Sequence, residues 1–218
     1  MSYFTQNRFP RMWLLMQNTI GGNACKQALA TEHYCGQKRV LEIGCSVGNI
    51  SAAFCAFPGI EFTGIDIDPC AIDLAKHRFR DYPNFNFSLN SLEDLSLQGK
   101  CFDYVLFAGI LHHVNNDEGL KLLRDAVKCI EKKGMLVIYE PEALKSSDSK
   151  LMRFFYNNFE QGLFLRSRNE LCRLVKQAGC NLRSIEDRMV SPGIINQPYV
   201  ALFNLLVGSP ATKKPNGF

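Results

Sequence analysis

The 218-residue sequence has no apolar run approaching the roughly 20 residues needed to span a bilayer, and Met12-Trp13-Leu14-Leu15-Met16 is too short even for the apolar region of a signal peptide. None of its nine cysteines stands in the C-x-x-C spacing that zinc and redox sites use, and an odd count leaves at least one unpaired. Histidine is scarce too: there are four, and none follows His113. These absences exclude a spanning helix, a disulfide scaffold and a metal site, and they lead us to expect a cytoplasmic protein whose cysteines are small buried hydrophobes.

What is present is ordinary for a folded chain. Apolar residues make up 46% and charged residues 21%, enough for one full-sized domain with a small appendage. The net charge of +4 is unevenly spread. Residues 1–40 carry five basic and one acidic side chain, residues 41–144 nine and fifteen, and residues 145–218 eleven and five. An acidic middle between basic flanks fits a neutral or cationic cofactor in the centre and an anionic partner at the flanks, or simply solvated charge.

The middle alternates short β-branched runs with helical patterns. Strands are expected at residues 39–44, 61–67, 85–89, 102–108 and 135–139, and helices at 49–57, from Pro69 through Phe79, and at 117–132. Nearly continuous apolar strands alternating with helices describe an α/β doubly wound, mostly parallel seven-stranded sheet with helices on both faces. Residues 1–37 read as N-terminal helices (8–18 and 23–33) forming a flap, and 38–208 as the main domain. The main domain holds a lid at about 145–166, a helix at 167–177 and two closing strands at 182–190 and 199–207. Residues 209–218 read as a disordered tail.

Ligands of such sheets bind at the carboxyl ends of the strands. The first strand–helix turn there is Glu42-Ile43-Gly44-Cys45-Ser46-Val47-Gly48, where glycines admit close backbone approach and a helix start offers N–H groups. Asp66 ends the second strand, where a carboxylate can accept both hydroxyls of a ribose. Three chemistries compete for this nucleoside site. A nicotinamide-dinucleotide fingerprint, G-x-G-x-x-G, is broken by Ser46 and by the spacing that follows. Gly44-Cys45-Ser46-Val47-Gly48 matches the G-x-S-x-G elbow of α/β-hydrolases, but no histidine follows His113 to close a triad. A nucleoside-sulfonium cofactor is the third.

In these residues the chain resembles the class I S-adenosylmethionine-dependent methyltransferases of small-molecule type. The resemblance runs through Val40 to Gly48, which follows E-x-G-x-G-x-G except at Ser46, then Gly64-Ile65-Asp66-Ile67-Asp68 and Leu92-Glu93-Asp94-Leu95. It continues through Phe102-Asp103-Tyr104-Val105 with Leu111-His112-His113-Val114, and Lys133-Gly134-Met135-Leu136. It implies that Gly44, Cys45, Ser46 and Gly48 pack on the methionyl part of S-adenosyl-L-methionine and that Glu42 helps orient it. It also implies that Asp66 binds the ribose hydroxyls, that Ile67 beside it contacts the cofactor, that Ser91 and Leu92 lie by the adenine, and that Phe107 with Ala108 floors the sulfonium. The usual acid after the third strand is replaced by Asn90 or displaced to Glu93 or Asp94.

Transfer from a sulfonium is an in-line displacement, so alignment and water exclusion can supply most of the acceleration. The candidates for contact with the acceptor are His112, as a base or as a turn cap, and Tyr139 and Glu140 at the end of the fifth strand. No N-P-P-Y or D-P-P-Y, no Pro-Cys nucleophile and no carboxylate cluster follows the fourth strand. That disfavours DNA-base and metal-dependent catechol types and leaves a small-molecule acceptor, on oxygen, carbon or nitrogen. The aromatics Phe154, Phe155, Tyr156, Phe159 and Phe164 suggest an apolar or aromatic one, while Tyr3, Arg8, Arg11 and Trp13 could form the flap. Arg166 and Arg168 could hold an acidic group of the acceptor. We expect no nucleic-acid partner, no metal and a monomer or homodimer. The alternatives are a repurposed or non-catalytic protein that keeps the cofactor as a scaffold, isomerase or cyclase, and a nucleic-acid or protein methylase.

Overall fold

The computed structural model describes residues 22–150, 152–154, 162–190 and 197–207, with side chains as far as residue 202. The expected helix at 8–18, Tyr3, Arg8, Arg11 and Trp13 of the flap, the lid aromatics Phe155, Tyr156 and Phe159, and the tail lie outside the described residues.

Five strands run in parallel: β1 (Arg39–Ile43), β2 (Glu61–Ile65), β3 (Phe85–Ser88), β4 (Phe102–Ala108) and β5 (Ile130–Pro141). After them come β6 (Cys180–Asn181), β7 (Ser184–Val190) and β8 (Gln197–Val207). β8 lies antiparallel beside β5, and both β6 and β7 pair with its far side, so those two share one position split by Leu182 and Arg183. The order is thus β3-β2-β1-β4-β5-β8 followed by β6 and β7, a sheet of seven positions that is mostly parallel. It reverses direction between β1 and β4, the switch point where such sheets bind ligands.

Both faces are covered. Helices α1 (Asn23–Thr31) and α2 (Pro69–Arg78), with the 3₁₀ turn Ser51–Ala56, bury Leu29, Ala30, Ile72, Ala75 and Phe54 against Val40, Phe62, Tyr104, Leu106 and Val137. On the other face α3 (Leu92–Leu97), α4 (Asn116–Lys128) and α5 (Arg168–Gln177) pack Leu95, Leu123 and Leu174 on Leu41, Val105, Phe107 and Ile138. Helix starts are specified locally. Asp68 caps α2 ahead of Pro69, while Ser91, Asn115 and Ser167 each form a capping box with an acid three residues on.

Three helical elements differ from expectation. The helix at 49–57 is the 3₁₀ turn, held between the glycine turn and Pro58. The helix expected to reach Lys132 stops at Lys128, because the Cys129 carbonyl accepts the Phe102 N–H at 2.7 Å and Ile130 already pairs with Phe102. Helix α3 was not foreseen.

Candidate active site

The turn after β1 is built from strained and close-packed positions. Gly44, Ser46 and Gly48 all have positive φ (66°, 48° and 78°). A Cβ on Gly44 would lie 2.5 Å from the Ile110 side chain, and one on Gly48 would lie 2.5 Å from the Phe79 ring. Only glycine fits these two places. Ser46 occupies the position where the methyltransferase pattern carries glycine, and its left-handed backbone costs about 1–2 kcal/mol. Hydrogen bonds hold it there: the Ser46 N–H donates to Asp66 Oδ2 at 2.8 Å, and the Arg78 guanidinium from the end of α2 donates to the Val47 carbonyl and, at 3.2 Å, to Asn49 Oδ1. Arg78 is a site residue that sequence reading missed, because its partners lie some thirty positions away.

Asp66 also accepts the Asp68 N–H on Oδ1 at 2.9 Å. Burial raises its pKa, against the pull of these backbone donors. A carboxylate offers about four acceptor sites, so these backbone donors leave it capacity toward a ribose hydroxyl. Cys45, in contrast, turns inward. Its thiol is buried against Gly64, and burial pushes its pKa well up, so the side chain packs beneath the turn and only its backbone lines it. A buried thiol of this kind is inert to alkylation.

Glu42 is 1% exposed and accepts a hydrogen bond from Ser51 Oγ at 2.5 Å. Burial lifts its pKa from 4.5 to about 8, with the Asp66 charge adding to the rise and Ser51 opposing it. A buried carboxyl poised near neutrality beside the glycine turn can ionise when a cation arrives. Ser51, which holds it, carries no sequence signal of its own.

At the neighbouring edge Ile67 and Leu89 are 79% and 53% exposed at the ends of β2 and β3, where Ile65 stands opposite Ser88. They offer apolar surface beside Asp66. Ser91 is occupied as a cap with Asp94, Leu92 is buried in the core, and Glu93 pairs with Lys121 at 2.6 Å. Asn90, donating to Ser88 Oγ at 3.0 Å, is the polar side chain left at that mouth. Phe107 is fully buried on the α4 face, so the partly exposed Ala108 ends the strand at the surface.

Tyr139 and Glu140 point to opposite faces. Glu140, 3% exposed, accepts the N–H groups of Ile110 and Leu111 on Oε1 at 2.7 and 2.8 Å. Its Oε2 takes the His112 N–H at 3.2 Å and lies 2.7 Å from His112 Nδ1. His112 is roofed by Gly162, where a Cβ would lie 2.1 Å from its ring, and its carbonyl accepts the Phe164 N–H at 2.9 Å. Arg166, expected as an acceptor contact, is instead 8% exposed. It donates to the carbonyls of Leu111, Phe164 and Val114 and to Asn116 Oδ1, lacing the segment after β5 to this turn. Arg168 pairs with Asp187 at 2.9 Å.

Among the described residues no cluster of His, Cys, Asp or Glu could hold a metal, no helix is long and apolar enough to cross a membrane, and all nine cysteines are free thiols. A cavity of about 320 Å³ lined by Tyr34, Gln37 and Phe57 lies at the amino ends of the strands, away from this chemistry.

Residues 40–134 match the methyltransferase-domain family. A demethylmenaquinone methyltransferase of Tropheryma whipplei is 32% identical over 117 residues, 54% of this chain and 46% of that protein, so the chain matches under half the length of these curated relatives. Its fold is shared with the 1,6-didemethyltoxoflavin-N1-methyltransferase of Burkholderia thailandensis, solved with that substrate and S-adenosylhomocysteine. That pair has a TM-score of 0.70 and 18% identity, over 94% of this chain and 84% of that one. The mitomycin 7-O-methyltransferase MmcR superposes with a TM-score of 0.68 and 16% identity, over 93% of this chain and 60% of that one. Residues 40–134, which hold the glycine turn, Asp66 and the reversal between β1 and β4, are thus similar to a methyltransferase domain, and the chain shares its fold with these solved structures.

Proposed function

We propose that the chain is an S-adenosylmethionine-dependent methyltransferase acting on a small, apolar or aromatic metabolite. The observation that carries the reading is the convergence on one strand edge of the Gly44–Gly48 turn, Asp66 with spare acceptor capacity, and a Glu42 carboxyl that can ionise against a cation. In this reading Asp66 takes the ribose hydroxyls, Ile67 and Leu89 flank the adenine, and the backbone at 44–48 packs on the methionyl chain. The cofactor supplies the electrophilic methyl. The chain's own part is to align donor and acceptor and keep water out. Exposed Phe154, Leu163 and Phe164 on the segment after β5 support an apolar acceptor, as do the small-molecule acceptors named for the relatives.

Scanning fluorimetry with S-adenosylmethionine, S-adenosylhomocysteine and NAD tests the reading. A cofactor at 100 times its Kd adds about 2.7 kcal/mol of stability. We expect this from the two adenosyl ligands, with Asp66→Ala weakening their binding by at least about 1 kcal/mol. Stabilisation by NAD alone would overturn the assignment.

His112 serves in this proposal as the lock of the turn after β4, since its ring lies between Glu140 and the Gly162 roof. His112→Ala is then expected to lower stability by roughly 1.5–3 kcal/mol, the worth of a charge-assisted hydrogen bond, while turnover stays within tenfold. A loss of about 10²–10⁴ in kcat at unchanged stability would make it the general base instead.

A further inference from the structure

Tyr139 is 1% exposed, and its hydroxyl has no hydrogen-bond partner among the described residues. Leaving a buried hydroxyl unpaired costs about 1–3 kcal/mol, and phenylalanine would fill the same space without that cost. The contrast with Tyr104 is direct. Tyr104 lies one strand away on the same face and donates its hydroxyl to the Ala30 carbonyl at 2.6 Å.

The register says which face and level the orphan leaves from. Glu42 stands opposite Leu106, and Leu106 opposite Val137, so these three side chains leave the same face of the sheet. Tyr139 follows Val137 by two residues and shares that face, packed in one cluster with Val137, Leu106 and Tyr199. It pairs with Ala108, and Ile43 pairs with Phe107, so Tyr139 stands level with Gly44, one step above Glu42 towards the ligand edge. Its main chain is tied to the site as well, because the Gly109 N–H donates to its carbonyl at 2.9 Å. Burial pushes the phenol well up, with Glu42 the largest charged contributor, so it remains a hydrogen-bond donor. Glu140, its chain neighbour, leaves from the other face and is spent on the His112 turn.

We infer that Tyr139 is a specificity-determining residue for the amino-acid end of the cofactor: its hydroxyl donates to the α-carboxylate while the ionised Glu42 takes the ammonium. The inference rests on the proposed cofactor. It gives the orphan hydroxyl and the poised carboxyl complementary roles toward one zwitterion, and it lets the site distinguish a nucleoside that carries the amino acid from one that does not.

Calorimetric titration of the full chain and of Tyr139→Phe with S-adenosylhomocysteine and with 5′-methylthioadenosine, which lacks the amino acid, tests it. The variant should lose about tenfold in affinity for S-adenosylhomocysteine, about 1.4 kcal/mol. Its affinity for 5′-methylthioadenosine should stay within twofold, and its thermal stability should be unchanged or higher. Unchanged S-adenosylhomocysteine affinity, or an equal loss for both nucleosides, would overturn the role of Tyr139. Failure of the unmodified chain to bind S-adenosylhomocysteine at all would instead overturn the cofactor assignment.

Discussion

Glu140→Ala should lower the unfolding free energy by about 3–5 kcal/mol, seen as an earlier urea transition. The carboxylate gathers the N–H groups of three consecutive residues and the ring of His112, all at 2.7 to 3.2 Å. Its removal strands three backbone donors and a ring nitrogen in a region where water cannot replace it, and it takes away the negative charge facing the buried Arg166 guanidinium. Glu140→Gln should cost less, roughly 2 kcal/mol, because one amide oxygen still accepts while the amide nitrogen faces donors. The site should suffer with the fold, since Ile110 of the same turn closes over Gly44. A loss under about 1 kcal/mol for the alanine variant would mean that other groups hold this turn.

The sheet and the glycine turn were legible because their signals are local. Short apolar runs such as Tyr104 to Phe107, closed by a glycine, read as strands buried on both sides, and Gly44 and Gly48 sit where a Cβ would collide. Helix α3 was also legible in principle. Ser91 with Asp94 is a capping-box pattern ahead of Leu95, but six residues are too few for a helical periodicity to show. The end of α4 was not legible, since it is decided by pairing between Phe102 and Ile130 across 28 positions. Arg166 shows the same limit within the site. In sequence it is one basic residue on a basic flank, and only the carbonyls of Leu111, Val114 and Phe164 make it a buried clamp. Tyr139 and Glu140 could be placed at a strand end from sequence. Their division of labour follows from strand alternation, once the core on each face is known.

Glu42 should make the ligand-free protein less stable as pH rises. Its pKa in the folded chain, about 8, lies above the 4.5 of the unfolded chain, so between those values the folded state holds the extra proton. The contribution is fully present below pH 4.5 and is lost as pH climbs through 8, at up to about 1.4 kcal/mol per unit and roughly 5 kcal/mol in all. Glu42→Gln keeps the shape and a partner for Ser51 but cannot ionise. The stability difference between variant and parent should therefore be near its minimum at pH 4.5 and grow in favour of the variant up to about pH 8, in urea titrations at matched ionic strength. Asp66 is present in both proteins, so most of its own titration cancels in the difference. The same proton reports on the ligand. An ammonium beside Glu42 favours its ionised form, so below pH 8 S-adenosylhomocysteine should bind with release of a proton. That release is measurable as a buffer-dependent binding enthalpy and as affinity that strengthens up to tenfold per pH unit. Glu42→Gln should abolish the release and weaken binding while stabilising the empty fold. Equal pH slopes in the two proteins would show that Glu42 stays ionised in the folded state, and that burial alone does not set its charge.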